Sequence, residues 1–291
     1  MFKIAILGCE NSHANNFLAQ IYEEKLYDDV EVVGVYSNEP AAAEKLKERF
    51  GVAVADSPDA FVGKIDGLVI TARDGIYHYP YAKPYIASGI PMFIDKPITS
   101  DDDEAVRFMK DLKENGVRVS GGSSCVFAED LRVLLESMKN EEDGRILGGC
   151  LRAPLLSKSP YGGFYFYAQH LVQIAEEVFG YYPETVSASR KGDTVTVIFG
   201  YSDFDVVGLF TENCFSTYSV TIHKEKTALH STVKIGPEAF CREFKAFYDL
   251  LCGKEQRHSY RDFIAPVFVM TAIDRALKSH ATEKISYCEE I

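Results

Sequence analysis

The sequence predicts an α/β chain in two parts: a parallel, doubly wound unit over residues 1–121, then an α+β unit with a largely antiparallel, open-faced sheet over 122–291. Three observations carry this expectation. Through the first 120 or so residues, short apolar runs alternate with helix-patterned segments, as βαβ units require. Beyond Gly121-Gly122 the runs become strand-like and are separated by turn pairs such as Gly192-Asp193 and Ser202-Asp203. A chain of 291 residues, 46% hydrophobic and 25% charged, has the length for about two domains and an ordinary globular balance.

The elements follow in order. Residues 2–7 are a continuous apolar run ending at Gly8, and Asn11 or Ser12 is placed to cap the helix behind it. Residues 30–36 form the second strand. Pro40 suits the first turn of a helix whose Ala43, Leu46 and Phe50 recur at helical spacing and which Gly51 stops. Ser57-Pro58 opens another short helix, 65–71 is a buried strand, and 79–88 is a helix ended by Gly89. Residues 91–94 are a strand. Ser100, followed by three aspartates and Glu104, starts a helix, because carboxylates favour its positive end. Asn115-Gly116 closes that helix, and 117–120 is the last strand of the parallel unit. The second unit offers strands at 146–156, 185–190, 194–201, 205–212, 217–223 and 227–235, antiparallel where only a few residues join them. Two helices end the chain: 238–251, with Phe240, Phe244, Phe247 and Leu251 on one face, and 261–279.

Composition narrows the function. Lys plus Arg number 31 against 43 Asp plus Glu, a net charge of −12, which repels phosphate backbones and anionic lipid. No apolar run approaches the roughly 18 residues of a membrane span, and the short MFKIAILG start is no signal peptide. Neither a nucleic-acid nor a membrane role is expected, and the location is cytoplasmic. The seven cysteines are scattered and none forms C-x-x-C, so reduced, buried thiols are expected rather than disulfides or a zinc ribbon. The histidines lack compact ligand spacing, so no metal is expected.

A glycine after the first strand and before a helix is where a dinucleotide pyrophosphate lies on backbone N–H groups. Aligned on G-x-G-x-x-G, the run here is Gly8-Cys9-Glu10-Asn11-Ser12-His13, with Glu10 and His13 in place of two glycines. The Glu10 charge would face phosphates, a repulsion of up to a few kcal/mol at about 4 Å unless the side chain turns away. Asn11 and Ser12 can donate hydrogen bonds in compensation. At the end of the second strand, Ser37-Asn38-Glu39 stands where an acid commonly binds the ribose. Ser37 can bond a ribose without repelling a 2′-phosphate, yet no arginine adjoins it, so NAD and NADP both stay open.

Phe93-Ile94-Asp95-Lys96-Pro97 puts a lysine at the carboxyl end of a buried parallel strand, the edge at which open α/β sheets bind ligands. Pro97 ends strand pairing there. Thr71-Ala72-Arg73-Asp74, His78, Gly89 and Asp95-Lys96-Pro97 occur in the order and spacing of the Gfo/Idh/MocA oxidoreductases, the glucose-fructose oxidoreductase and inositol dehydrogenase family. The chain resembles that family over nearly its whole length. The resemblance implies a Rossmann-type first domain. Its Glu-Lys-Pro, whose lysine contacts substrate and nicotinamide, is matched by Asp95-Lys96-Pro97. Gly162-Gly163-Phe164-Tyr165-Phe166-Tyr167-Ala168-Gln169-His170 resembles the approach to the family's catalytic helix, and His170 matches its general acid/base. The acidic residues that commonly flank that histidine are Phe166 and Gln173 here, so Tyr167 and Gln173 are the expected hydrogen-bonding partners.

The resemblance therefore implies an NAD(P)-dependent oxidoreductase of a sugar, polyol or related small molecule. Lys96, His170 and Tyr167 are its catalytic candidates. Gly8, Asn11, Ser12, His13, Ser37, Asn38, Thr71, His78, Asp95 and Lys96 are the cofactor-binding candidates. A homodimer or homotetramer is expected from the exposed sheet. Glu10, Phe166 and the missing glycines motivate an alternative, a relative that binds a ligand or regulates without redox chemistry.

Overall fold

The computed structural model describes residues 1–214 and 218–289. Five parallel strands, β1 (Phe2–Leu7), β2 (Val30–Tyr36), β3 (Gly67–Ile70), β4 (Met92–Asp95) and β5 (Val119–Gly122), form one sheet in the order β2-β1-β3-β4-β5. Between them run α1 (Ser12–Tyr22), α2 (Pro40–Phe50), α3 (His78–Ala82) and α4 (Asp102–Glu114). Side chains alternate across the strands and sort the core onto two flanks. Ile4, Ile6, Val69 and Phe93 meet Phe17 and Leu18 on one side; Leu7, Ile70 and Ile94 belong with Tyr85 and Phe108 on the other. Both faces are covered, which is why these strands read as continuous apolar runs. The winding reverses between β1 and β3, opening a crevice at the carboxyl edge.

The second sheet contains β6 (Ile146–Pro154), β7 (Thr185–Lys191), β8 (Thr194–Gly200), β9 (Asp205–Thr211), β10 (Tyr218–Lys224), β11 (Ala228–Val233) and β12 (Glu283–Lys284). Its order is β11-β10-β6-β9-β8-β7-β12, antiparallel throughout except for the parallel pair of β6 and β9. The remaining helices are α5 (Glu129–Ser137), α6 (Tyr165–Phe179), α7 (Pro237–Leu251) and α8 (Tyr260–Ser279). Helices α6 and α8 bury one face of the sheet, while Leu147 and Ile198 stand exposed. Helix α7 instead returns to the parallel sheet. Its Phe244 and Phe247 are fully buried beside Phe17 and Ile4, and a methyl group on Gly67 would lie 2.6 Å from Leu251.

Several local expectations change. Residues 57–63 are turns rather than a helix, for the segment ends at Gly63 before a second helical turn can form. The helix predicted at 79–88 splits into α3 and a 3-10 segment, Lys83–Ser88, where Pro84 offers no N–H. Asp101, not Ser100, caps α4, accepting the Glu104 N–H at 2.7 Å. Residue Thr217 of the predicted 217–223 strand lies outside the described residues. All seven cysteines are free, as the scattered spacing implies, but Cys150 and Cys252 are exposed rather than buried.

Candidate active site

At the end of β4, Lys96 turns inward and is 5% exposed. Its Nζ donates to the Phe166 carbonyl at 3.3 Å and lies over the Phe166 and Tyr167 rings, 4.3 and 5.5 Å from their centroids. Burial lowers its pKa, and the charge of Asp95 partly restores it. The Asp95 carboxylate does not grip Nζ. It accepts the backbone N–H of Lys96 at 2.7 Å and the Asn11 side-chain amide at 2.5 Å, and it pairs with His13 Nδ1 at 3.2 Å.

This arrangement decides how α1 begins. Asn11 spends its side chain on Asp95 instead of capping the helix, and no acidic residue stands in the first turn. The first turn therefore has no side-chain cap, and its Asn11, Ser12 and His13 line the cavity at the positive end of the helix. His13, at the third glycine position, fills the space between α1, β4 and α7. Its Nε2 pairs with the fully buried Glu243 of α7 at 3.1 Å, an ionic contact that is poorly aligned as a hydrogen bond. Burial would lower the pKa of His13, but Asp95 and Glu243 together outweigh it and raise it. Burial raises Glu243 in turn, with His13 pulling it back.

Helix α6 supplies His170, 4% exposed. Its Nδ1 lies 2.6 Å from Ser123 Oγ and 3.6 Å from Cys125 Sγ, both just beyond β5. The ring's hydrogen-bonding neighbour is thus neither Tyr167 nor Gln173. Tyr167 packs edge-on against the imidazole with centroids 5.4 Å apart, and Gln173 Oε1 accepts from the Ser123 N–H at 2.6 Å and from Gln169 at 2.9 Å. Burial, then the charges of Lys96 and His13, push the His170 pKa well below its ordinary value. Sequence reasoning missed Ser123. The available signal was its position directly after a parallel strand, the same edge that marked Lys96.

Lys96, Tyr167 and His170 line one cavity of about 820 Å³ together with Asn11, Ser12 and His13 of α1. Arg73, Lys158 and Lys234 add positive charge to its wall against the single carboxylate of Glu212, in a protein that is acidic as a whole. Beside it lies the crevice of the parallel sheet. Gly8 has φ +90°, and a methyl group there would fall 2.2 Å from the Ala72 nitrogen, so the close passage of β1 and β3 requires glycine. Thr71 secures that passage by donating to the Gly8 carbonyl at 2.5 Å. Glu10 does turn aside: its carboxylate accepts from Ser37 Oγ at 2.7 Å and from the Arg73 N–H at 2.9 Å. Ser37 is consequently engaged by Glu10, while Asn38 is exposed at the rim. The Arg73 guanidinium leans on Tyr161, 5.2 Å from its ring, and Tyr161 in turn donates to Glu39 at 3.3 Å.

His78 corrects an expectation. It is fully buried, and its ring nitrogens face the carbonyls of Ala72 at 2.9 Å and Ile98 at 3.2 Å. Lying between these two carbonyls, and able as a neutral ring to donate to one of them, His78 ties the loops after β3 and β4 together and is not among the residues lining the cavity.

The donor set fits a dinucleotide. The helix N-terminus and Arg73 suit a pyrophosphate, and the Glu10 carboxylate, held beside Ser37 at the end of β2, suits a ribose diol. The comparisons with known proteins bear on the same crevice. Residues 2–123 match the oxidoreductase family with an NAD-binding Rossmann fold, Gfo/Idh/MocA. Among curated proteins, none matches the chain in sequence. Solved structures do resemble it. A putative myo-inositol dehydrogenase from Sinorhizobium meliloti is 18% identical, with a TM-score of 0.84 over 98% of this chain and 100% of its own. The scyllo-inositol dehydrogenase of Lactobacillus casei, solved with NAD(H) and scyllo-inositol, is 16% identical, with a TM-score of 0.83 over 98% of this chain and 99% of its own. A putative NADPH-dependent oxidoreductase from Desulfitobacterium hafniense is 15% identical, with a TM-score of 0.80 over 98% and 97%. At such identities the likeness establishes a shared fold across both sheets. Through the domain that carries the glycine turn and Lys96, the chain matches the Gfo/Idh/MocA oxidoreductase family with its NAD-binding Rossmann fold.

Proposed function

We propose that the protein is an NAD(P)(H)-dependent oxidoreductase acting on a hydroxyl or carbonyl of a polyol, sugar or related small molecule. The observation that carries this reading is that Lys96, from the parallel sheet, and His170, from α6, line the same cavity as the uncapped N-terminus of α1. The inositol dehydrogenases among the similar structures support a polyol as the substrate class. When bound, the nicotinamide supplies or accepts the hydride. The protein's own groups do the rest. Lys96 and His170 flank the reacting oxygen, the ammonium stabilises negative charge developing on it, and the rings of Phe166 and Tyr167 keep water from Lys96. Asn11, Ser12 and Arg73 hold the phosphates through the helix amides and a cation.

Glu10 carries the cofactor preference. Its carboxylate, beside Ser37 at the end of β2, accepts ribose hydroxyls and repels a 2′-phosphate, and the Arg73 guanidinium leans on Tyr161. NAD(H) is therefore the preferred partner. The domain division is proposed at Gly121–Gly122, where β5 ends. The location is proposed as cytoplasmic, no helix among the described residues being long and apolar enough to cross a membrane.

Titration of the purified protein with NADH and NADPH, followed by reduced-nicotinamide fluorescence, tests the reading. Saturable binding, tighter for NADH, is the expected result. A folded sample silent to both overturns it.

A further inference from the structure

We infer that Ser123 fixes the tautomer of His170, so that the imidazole meets the substrate oxygen as an Nε2–H donor rather than as a base. The tautomer stands on hydrogen-bond accounting alone; only its meaning for the substrate rests on the redox reading above. Ser123 is fully buried. Its Oγ already accepts the Cys125 N–H at 3.2 Å, which leaves its own O–H to be placed. A buried hydroxyl hydrogen without an acceptor costs about 1–3 kcal/mol. His170 Nδ1, at 2.6 Å, is the strong acceptor in reach.

The other neighbour of Nδ1 argues the same way. Cys125 Sγ lies 3.6 Å away, and burial pushes that thiol up to about 12, so it too carries a hydrogen. Among the described residues no carboxylate or carbonyl is hydrogen-bonded to Nδ1. A neutral imidazole has one N–H, and an Nδ1 that accepts leaves it on Nε2. A second proton is opposed from several elements. Lys96 at the end of β4 and His13 of α1 both repel it, while Tyr167 of α6 and Tyr218 of β10 pack their rings edge-on to the imidazole.

A neutral Nε2–H polarises an oxygen without surrendering its proton.

The test is long-range nitrogen–proton correlation NMR on the whole protein labelled with 15N-histidine, with His170 identified by its absence in His170→Gln. The native protein is expected to show a pyridine-type Nδ1 and a pyrrole-type Nε2, unchanged from about pH 5.5 to 8.5. Ser123→Thr keeps this pattern, and Ser123→Ala shifts Nδ1 toward the protonated form. A pyrrole-type Nδ1 or an imidazolium in the native protein overturns the inference. The native spectrum decides the matter even if the alanine variant fails to fold. Loss of NADH binding in the fluorescence titration would defeat the redox reading and leave the tautomer result standing.

Discussion

Burial lowers the Lys96 pKa and the charge of Asp95 partly restores it, so an ammonium there is poorly hydrated and strongly felt by an oxygen placed beside it. Lys96→Ala is expected to lower turnover by about 10²- to 10³-fold, with an unchanged circular-dichroism spectrum and cooperative melting; native turnover would remove Lys96 from the chemistry. Glu10 offers a second prediction. Removing its charge in Glu10→Gln relieves repulsion of a 2′-phosphate, and at partly exposed sites that amounts to about a tenfold fall in the NADPH-to-NADH ratio of Kd. An unaltered ratio in the fluorescence titration would refute its role. At this scale the sequence was informative where a residue had a telling neighbourhood. Lys96 stood between a buried strand and Pro97, and His170 followed two glycines and an aromatic run. Ser123 was invisible, for its partner is 47 residues away and Gly-Gly-Ser-Ser reads as a turn. His78 is fully buried between two backbone carbonyls, a placement its motif position did not reveal.

Helix α6 is buried almost all round, and it carries a carboxylate that the site does not use. Glu176 is 2% exposed, neither oxygen has a hydrogen-bond partner among the described residues, and burial raises its pKa well above the usual 4.5. The sign follows from linkage. The fold favours the neutral acid, so this group's contribution to stability is full below its unfolded pKa and is lost as pH rises toward the folded value. Glu176→Gln is thus expected to raise the melting midpoint at pH 8 by roughly 2–4 °C, with the gain vanishing near pH 4; equal midpoints at pH 8 would contradict it. Elements were legible when period and boundary agreed. α2 begins at Pro40 and stops at Gly51, whose φ is +72°. The 57–63 segment had a plausible start but too little chain. α5 escaped notice because only Leu131 and Leu134 of its nine residues are buried.

Across the whole molecule, α6 and α8 bury one face of the seven-stranded sheet, while Ile198 and Leu147 are 40% and 48% exposed. Pairing of two copies through this sheet is the expected assembly. Light scattering at micromolar concentration should report a dimer or tetramer, and Ile198→Lys should drive it to monomer. A monomeric native protein would contradict the expectation. The division into parallel and antiparallel halves was legible from run length and turn spacing. That α7 recrosses to the first sheet was not, since the apolar stripe of Phe240, Phe244, Phe247 and Leu251 names no destination. Its destination matters during synthesis. Until residue 251 has left the ribosome, the nascent N-terminal sheet carries a bare greasy flank where Phe244 and Phe247 will settle. Cutting the gene after Gly122 would make that nakedness permanent. The N-terminal half matures only when nearly the whole polypeptide has been translated, so a premature stop anywhere before α7 yields a sticky fragment in place of a working half.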